Sequence, residues 1–251
     1  MILDKFSLKG KVAVVTGSDT GLGQGIAKAF VEAGAKVLGI SRSPSTATQE
    51  MLGKENFEFL TADLSTLDPI ETIISTAVKT FGRLDILVNN AGIIKREDTI
   101  DFSVESWDAV MNVNARTLFF LSQAAAKQFI KQKSGGKIIS IASMLSYQGG
   151  IRVPSYTASK SAVKGITMTM ANEWAQYGIN VNAIAPGYMA TNNTKALRAD
   201  AQRSEAILER IPAGRWGTPD DIMGAAVFLA SEASDYVNGF TLAVDGGWLG
   251  R

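Results

Sequence analysis

Seven short runs of apolar, largely β-branched residues recur along the chain, separated by longer stretches with helical spacing. The first reads KVAVV, Lys11 to Val15, and has no polar face. Such a run must be covered on both sides, which is the condition of a strand inside a parallel sheet. The others fall at Lys36 to Ile40, Phe57 to Thr61, Asp85 to Val88, Ile138 to Ile141, Asn180 to Ile184 and Thr241 to Val244. Between them, helical patterns are expected over Gln24 to Ala33, Pro69 to Phe81, Ser106 to Lys131, Tyr156 to Tyr177, Asn192 to Leu208 and Pro219 to Leu229. Strand and helix alternating at this spacing predict an α/β chain with a doubly wound parallel sheet. No linker, internal repeat or low-complexity stretch divides residues 1–251, so a single domain is expected.

The first strand leads into Thr16-Gly17-Ser18-Asp19-Thr20-Gly21-Leu22-Gly23 and then a helix. Free backbone N–H groups and the helix dipole at such a turn attract a pyrophosphate, which makes the sheet Rossmann-like and Gly17, Asp19, Thr20, Gly21, Leu22 and Gly23 candidate cofactor contacts. About 20 residues further on, an acid in such folds binds a ribose 2′-OH, whereas an Arg accommodates a 2′-phosphate. Here Ser41 and Arg42 follow the second strand. That pair favours NADP(H), with NAD(H) still possible.

Tyr156 and Lys160 are four residues apart at the start of a helical run, so they share one helix face. An ammonium beside a phenol is expected to lower the phenol's pKa from its ordinary ~10. Ser143, just past the strand ending at Ile141, is placed to donate a hydrogen bond to the oxygen that gains or loses the proton. The three together suit interconversion of a carbonyl and an alcohol. Composition narrows the choice, because Cys 0 and His 0 remove the usual acid–base residue, the thiol nucleophile and the soft or imidazole metal ligands. No metal site is expected.

Thr16-Gly17-x3-Gly21-x-Gly23, Asn89-Asn90-Ala91-Gly92, Ser143, Tyr156-x3-Lys160 and Pro186-Gly187 occur in the order and spacing that resemble the short-chain dehydrogenase/reductase family, across essentially the whole chain. The resemblance implies that Asp63 and Leu64 contact an adenine and that Asn89 steadies the sheet beside the cofactor. Ala91, Gly92, Pro186, Gly187, Met189 and Thr191 line the nucleotide, the last two near the nicotinamide carboxamide. It also implies that Asn114 completes a catalytic set with Ser143, Tyr156 and Lys160, held in a helix distortion where it binds a water. Tyr156 and Lys160 then contact the cofactor as well. A mobile substrate lid at about 188–212 and a homotetramer are further expectations from the resemblance.

Specificity falls to the segments after Gly92, after Ser143 and in the lid. They carry Lys95 and Arg96, then Tyr147, Gln148 and Arg152, then Tyr188, Asn192 and Asn193. With Ser143 and Tyr156, this donor-rich set suits a hydroxylated acid better than a long acyl chain, and an Arg can grip its carboxylate through two parallel hydrogen bonds. Stretches such as NAIAPGYMATNNT and ASDYVNGFTLAVDGGW resemble the branch of the family that handles uronate-derived sugar acids. The implied reaction is reduction of 3-deoxy-D-glycero-2,5-hexodiulosonate at C5. A gluconate 5-dehydrogenase, a 3-oxoacyl carrier-protein reductase and a cofactor-binding sensor without turnover are the alternatives. A net charge of +1 without basic runs gives no footprint for nucleic acid or an anionic membrane. With no spanning apolar stretch and no disulfide, a cytoplasmic location is expected.

Overall fold

In the computed structural model, which describes residues 1–251, all seven apolar runs pair into one parallel sheet. In chain order the elements are β1 (Val12–Thr16), α1 (Gly21–Glu32), β2 (Lys36–Ser41), α2 (Thr46–Leu52), β3 (Phe57–Thr61) and α3 (Ile70–Phe81). Next come β4 (Ile86–Asn89), α4 (Val104–Met111), α5 (Leu118–Gln132), β5 (Gly136–Ile141), α6 (Pro154–Trp174) and β6 (Ile179–Pro186). Helices α7 (Lys195–Ala199), α8 (Ala201–Leu208) and α9 (Pro219–Ala230) precede the last strand, β7 (Thr241–Val244). The strand order is β3-β2-β1-β4-β5-β6-β7, so the winding reverses between β1 and β4. A crevice opens at the carboxyl ends of those two strands, where ligands lie in sheets of this kind.

Alternation along β1 shows why its sequence carries no polar face. Ala13 and Val15 pack with Ile26 and Phe30 of α1 and Ile222 and Leu229 of α9. Val14, on the opposite face, packs with Ile73 of α3, Leu121 and Phe129 of α5 and Met170 of α6. Each strand residue is therefore covered by one helical layer or the other. Register follows the same logic, with Val14 opposite both Leu38 and Leu87.

Four departures from the sequence expectation have local causes. α1 begins at Gly21 rather than Gln24, because Gly21 and Gly23 already form its first turn. The run expected as one helix over Ser106 to Lys131 is α4, a π-helical turn at Asn112–Thr117, and α5. α2 has only seven residues and too little apolar periodicity to announce itself. The helical stretch after Asn192 breaks at Asp200, whose side chain accepts from the Arg203 N–H and so starts α8 anew.

Candidate active site

A cleft of about 650 Å³ runs across the carboxyl ends of the strands. One end is built by the turn after β1. Gly17 has φ 68°, and a Cβ there would lie 2.8 Å from the Asn90 amide nitrogen. A Cβ on Gly23 would lie 2.0 Å from the Gly17 carbonyl oxygen, so only glycine lets the turn fold flat against α1. Asp19, Thr20, Gly21 and Leu22 line the cleft. The Thr20 side chain makes no capping bond, which leaves the first N–H groups of α1 for a ligand. Ser41, Arg42, Asp63 and Leu64 line the same end. The Ser65 backbone N–H donates to Asp63 at 2.9 Å and holds its carboxyl below the usual range, assisted by the Ser65 side chain and the charge of Arg42. A glycine crest, a free helix N-terminus and a long open trough fit a dinucleotide.

Two asparagines tie this end to the next. The Asn90 amide donates to the carbonyls of Thr16 at 2.8 Å and Gly17 at 3.1 Å, and the Thr16 hydroxyl accepts from the N–H groups of Asn90 and Ala91. Buried Asn89 donates to Ser122 on α5 at 2.9 Å and Ser140 on β5 at 3.4 Å. Ala91 and Gly92 then border the cleft, as do Pro186, Gly187, Met189 and Thr191 on the far wall. Met189 is pinned by a parallel bridge to Gly217, where a Cβ would meet its sulfur at 2.3 Å.

Ser143, Tyr156 and Lys160 meet in the middle of the cleft. Ser143 is the first residue beyond Ala142, where β5 gives way to a 3₁₀ turn, and its hydroxyl accepts from the Leu145 N–H at 3.2 Å. Pro154 starts α6 with its preset φ, putting Tyr156 in the first turn and Lys160 one turn later. The Lys160 ammonium donates to the Ile141 carbonyl at 2.6 Å and sits 5.5 Å from the Tyr156 ring centroid. Burial brings the Lys160 pKa down to about 8. Burial also pushes the Tyr156 phenol up, while the Ser143 hydroxyl and the Arg96 charge pull it down. The Lys160 ammonium was expected to lower the phenol, and the shift found in the structure has other causes. Desolvation dominates, and the opposing help comes from Ser143 and Arg96.

Asn114 lies in the π-helical turn. Its side chain accepts from the Ile93 N–H at 2.9 Å and donates to the Ile93 carbonyl at 2.9 Å and to Ser159 at 3.1 Å. Ser159 in turn donates to the Tyr156 carbonyl at 2.8 Å. The amide is thus engaged in bracing the loop after β4 against α6. A Cβ on Gly92 would stand 3.2 Å from the Asn114 oxygen and 3.7 Å from the Lys160 nitrogen, so the loop passes tightly over both.

The expected substrate residues divide. Asn192 and Asn193 line the cleft, as does Lys95, and Arg96 reaches over to donate to the Asn193 carbonyl at 3.3 Å. Four others are drawn elsewhere. Tyr147 donates to the Thr241 carbonyl at 3.1 Å, and Gln148 accepts from the Trp248 indole at 3.1 Å. Exposed Arg152 is held by Asp98 at 2.8 Å, the surface ion pair that competes with any carboxylate clamp. Tyr188 packs against Trp216 and Trp248 and lines a smaller neighbouring pocket.

A family profile described as Enoyl-(Acyl carrier protein) reductase matches residues 17–249, and the chain is 65% identical over 254 residues, all of both proteins, to an Escherichia coli (strain K12) 2-dehydro-3-deoxy-D-gluconate 5-dehydrogenase. The chain belongs to the short-chain dehydrogenase/reductase family. A Bacillus subtilis (strain 168) relative of the same name is 58% identical, covering 99% of this chain and 98% of the relative. Among solved structures, a gluconate 5-dehydrogenase from Burkholderia cenocepacia J2315, in complex with NADP and tartrate, shares 38% identity. It superposes with a TM-score of 0.93 over 100% of both chains. A candidate 2-deoxy-D-gluconate 3-dehydrogenase from Agrobacterium tumefaciens with bound NADP is 55% identical, with a TM-score of 0.90 over 98% of this chain and 99% of that one.

Within this short-chain dehydrogenase/reductase, three residues to which the motifs assigned no role brace the site. Thr16, Asn90 and Ser159 hold the glycine turn, the loop after β4 and the Tyr156 backbone in place. Thr16 and Asn90 stood in the quoted motifs without a role of their own and Ser159 in none, because the Thr16, Asn90 and Asn114–Ser159 bonds span 45 to 75 residues, although Ser159 reaches the Tyr156 carbonyl within one helical turn.

Proposed function

We propose that the chain reduces the C5 ketone of 3-deoxy-D-glycero-2,5-hexodiulosonate to give 2-dehydro-3-deoxy-D-gluconate, using NADP(H) by preference. The observation that carries this reading is the convergence of Ser143, Tyr156 and Lys160 in a cleft flanked by the cations Lys95 and Arg96. Full-length identity to the Escherichia coli relative supports the substrate, and the NADP held by the two related structures supports the cofactor.

The glycine turn and the N-terminus of α1 would hold the pyrophosphate, and Asp63 and Leu64 the adenine. When bound, the nicotinamide supplies the hydride for the ketone carbon. Ser143 donates a hydrogen bond to the ketone oxygen and fixes its position. Tyr156 gives that oxygen its phenolic proton, so the carbonyl becomes a secondary alcohol and the phenol a phenolate. Lys160, with a pKa brought near 8, stabilises the phenolate and returns a proton at little cost near neutral pH. Arg96 and Lys95 hold the substrate carboxylate, and Asn192 and Asn193 meet its hydroxyls from the lid. The cations Lys95 and Arg96 and the amides of Asn192 and Asn193 at the cleft favour this substrate over the acyl carrier-protein alternative. The enzyme works in the cytoplasm as a homotetramer.

The decisive experiment follows NADPH oxidation with the 2,5-diketo acid. The wild type turns over rapidly, and Tyr156→Phe loses about 10²-fold or more in kcat, the scale of general-acid catalysis, while still binding NADPH. Equal rates for the two proteins would overturn the mechanism, and absence of wild-type turnover would overturn the substrate.

A further inference from the structure

At the end of β2, where an acid reads the ribose in many dinucleotide sites, this chain has Ser41. The turn after β1 lies directly on β2 at this point. A Cβ on Gly39 would fall 2.3 Å from the Ser18 hydroxyl and 2.4 Å from the Phe57 ring, so only glycine permits the approach. That closeness brings the Asp19 carboxylate to Ser41, whose hydroxyl donates to Asp19 Oδ1 at 3.1 Å. Behind it, Ser45 donates to Ser41 at 3.4 Å and lies 3.5 Å from Ser18, forming a buried chain of hydroxyls.

The Asp19 backbone is held as well. Gln24 donates to the Asp19 carbonyl at 3.4 Å and to Thr48 at 2.9 Å, and Thr48 donates to the Ser18 carbonyl at 3.0 Å. Only Oδ1 of the carboxylate is engaged; no side chain or backbone N–H bonds Oδ2. Asp19 and Arg42 both line the cleft at its Asp63 and Leu64 end. Arg42 is exposed and takes part in none of the six ion pairs of the chain.

We infer that the ribose-reading acid of this chain has moved from the end of β2 into the glycine turn, where Asp19 selects against a 2′-phosphate and Arg42 selects for one. Asp19 Oδ2 accepts from the ribose 2′-OH of NAD(H), a charge-assisted bond to an oriented carboxylate. A 2′-phosphate at the same place is repelled by Asp19 and attracted by Arg42. NADP(H) is therefore admitted because of Arg42 and in spite of Asp19, and the site takes both nucleotides in a ratio set by these two residues. This rests on the dinucleotide reading of the cleft.

Dissociation constants for NADPH and NADH, measured calorimetrically without substrate, test it. Asp19→Asn keeps the shape and removes the charge. It should tighten NADPH about tenfold and weaken NADH about tenfold, the scale of one charge-assisted hydrogen bond. Arg42→Ala should move the ratio at least about tenfold the other way. Ser41→Ala, which releases the carboxylate from its anchor, should move it as Asp19→Asn does but less. Unchanged constants in Asp19→Asn would overturn the inference. So would equal weakening of both nucleotides, because Asp19 would then only support the turn. A wild type that binds neither nucleotide would overturn the dinucleotide reading itself.

Discussion

At Lys160 burial and function pull in opposite directions. Lys160 is 4% exposed, and the one hydrogen bond of its ammonium goes to the Ile141 carbonyl. Its folded pKa of about 8 lies below the unfolded 10.5, so between those values the unfolded chain binds more protons. Stability from this group therefore rises with pH across that window, by up to ~3 kcal/mol. Compared with Lys160→Met by thermal unfolding of the cofactor-free proteins, the wild type should gain ground as pH rises above about 8 toward 10.5. A constant difference between the two would refute the burial argument. At this scale the placement of Tyr156 and Lys160 was legible because their spacing is local: four residues put them on one helix face. The contacts of Tyr147, Gln148 and Arg152 were not, because each is made with a distant partner, Gln148 with Trp248 100 residues away.

Elements were easiest to read where one signal settled both ends. β3 and β7 match their expected spans, and α3 ends as expected at Phe81, with Gly82 after it in the left-handed conformation. The π-helical turn at Asn112–Thr117 was not read from periodicity, which took the whole stretch from Ser106 to Lys131 as one helix. α9 offers a test of local specification. Thr218 and Asp221 form a capping box, Pro219 occupies the first turn, and Asp221 also takes a bidentate grip from Arg215 at 2.6 and 2.7 Å. Arg215 holds the Asp221 carboxyl well below the usual carboxylate range. The resulting stabilisation is present above the unfolded value near 3.8 and is lost as pH falls below it. Because the guanidinium is largely exposed, the cap bonds outweigh the ion pair. Asp221→Ala should cost about 1–2 kcal/mol in denaturant unfolding at pH 7 and much less at pH 2. An equal loss at both pH values would count against the cap.

For the whole molecule, the large apolar side chains Ile100 just before α4, Val104 and Trp107 on α4, and Phe120 on α5 are left exposed, by 92, 70, 40 and 37%. Large apolar side chains left in water at this exposure suit burial in an assembly. Light scattering should give a mass near four times the 26.7 kDa of the chain, and a monomer would refute the tetramer. No helix is long and apolar enough to cross a membrane. The sheet order was not legible in the sequence, but its consequence reaches furthest. Reversal between β1 and β4 puts the residues from Gly17 to Asp63 on one side of a seam and Ser143, Tyr156 and Lys160 on the other. The Thr16 and Asn90 hydrogen bonds stitch across it. Nucleotide choice and reaction chemistry thus occupy separate mutational territories. A lineage carrying this fold can switch the pool of reducing equivalents it draws on, following a change of diet or oxygen supply, by altering residues 19 and 42 while its acid–base machinery stays as it was.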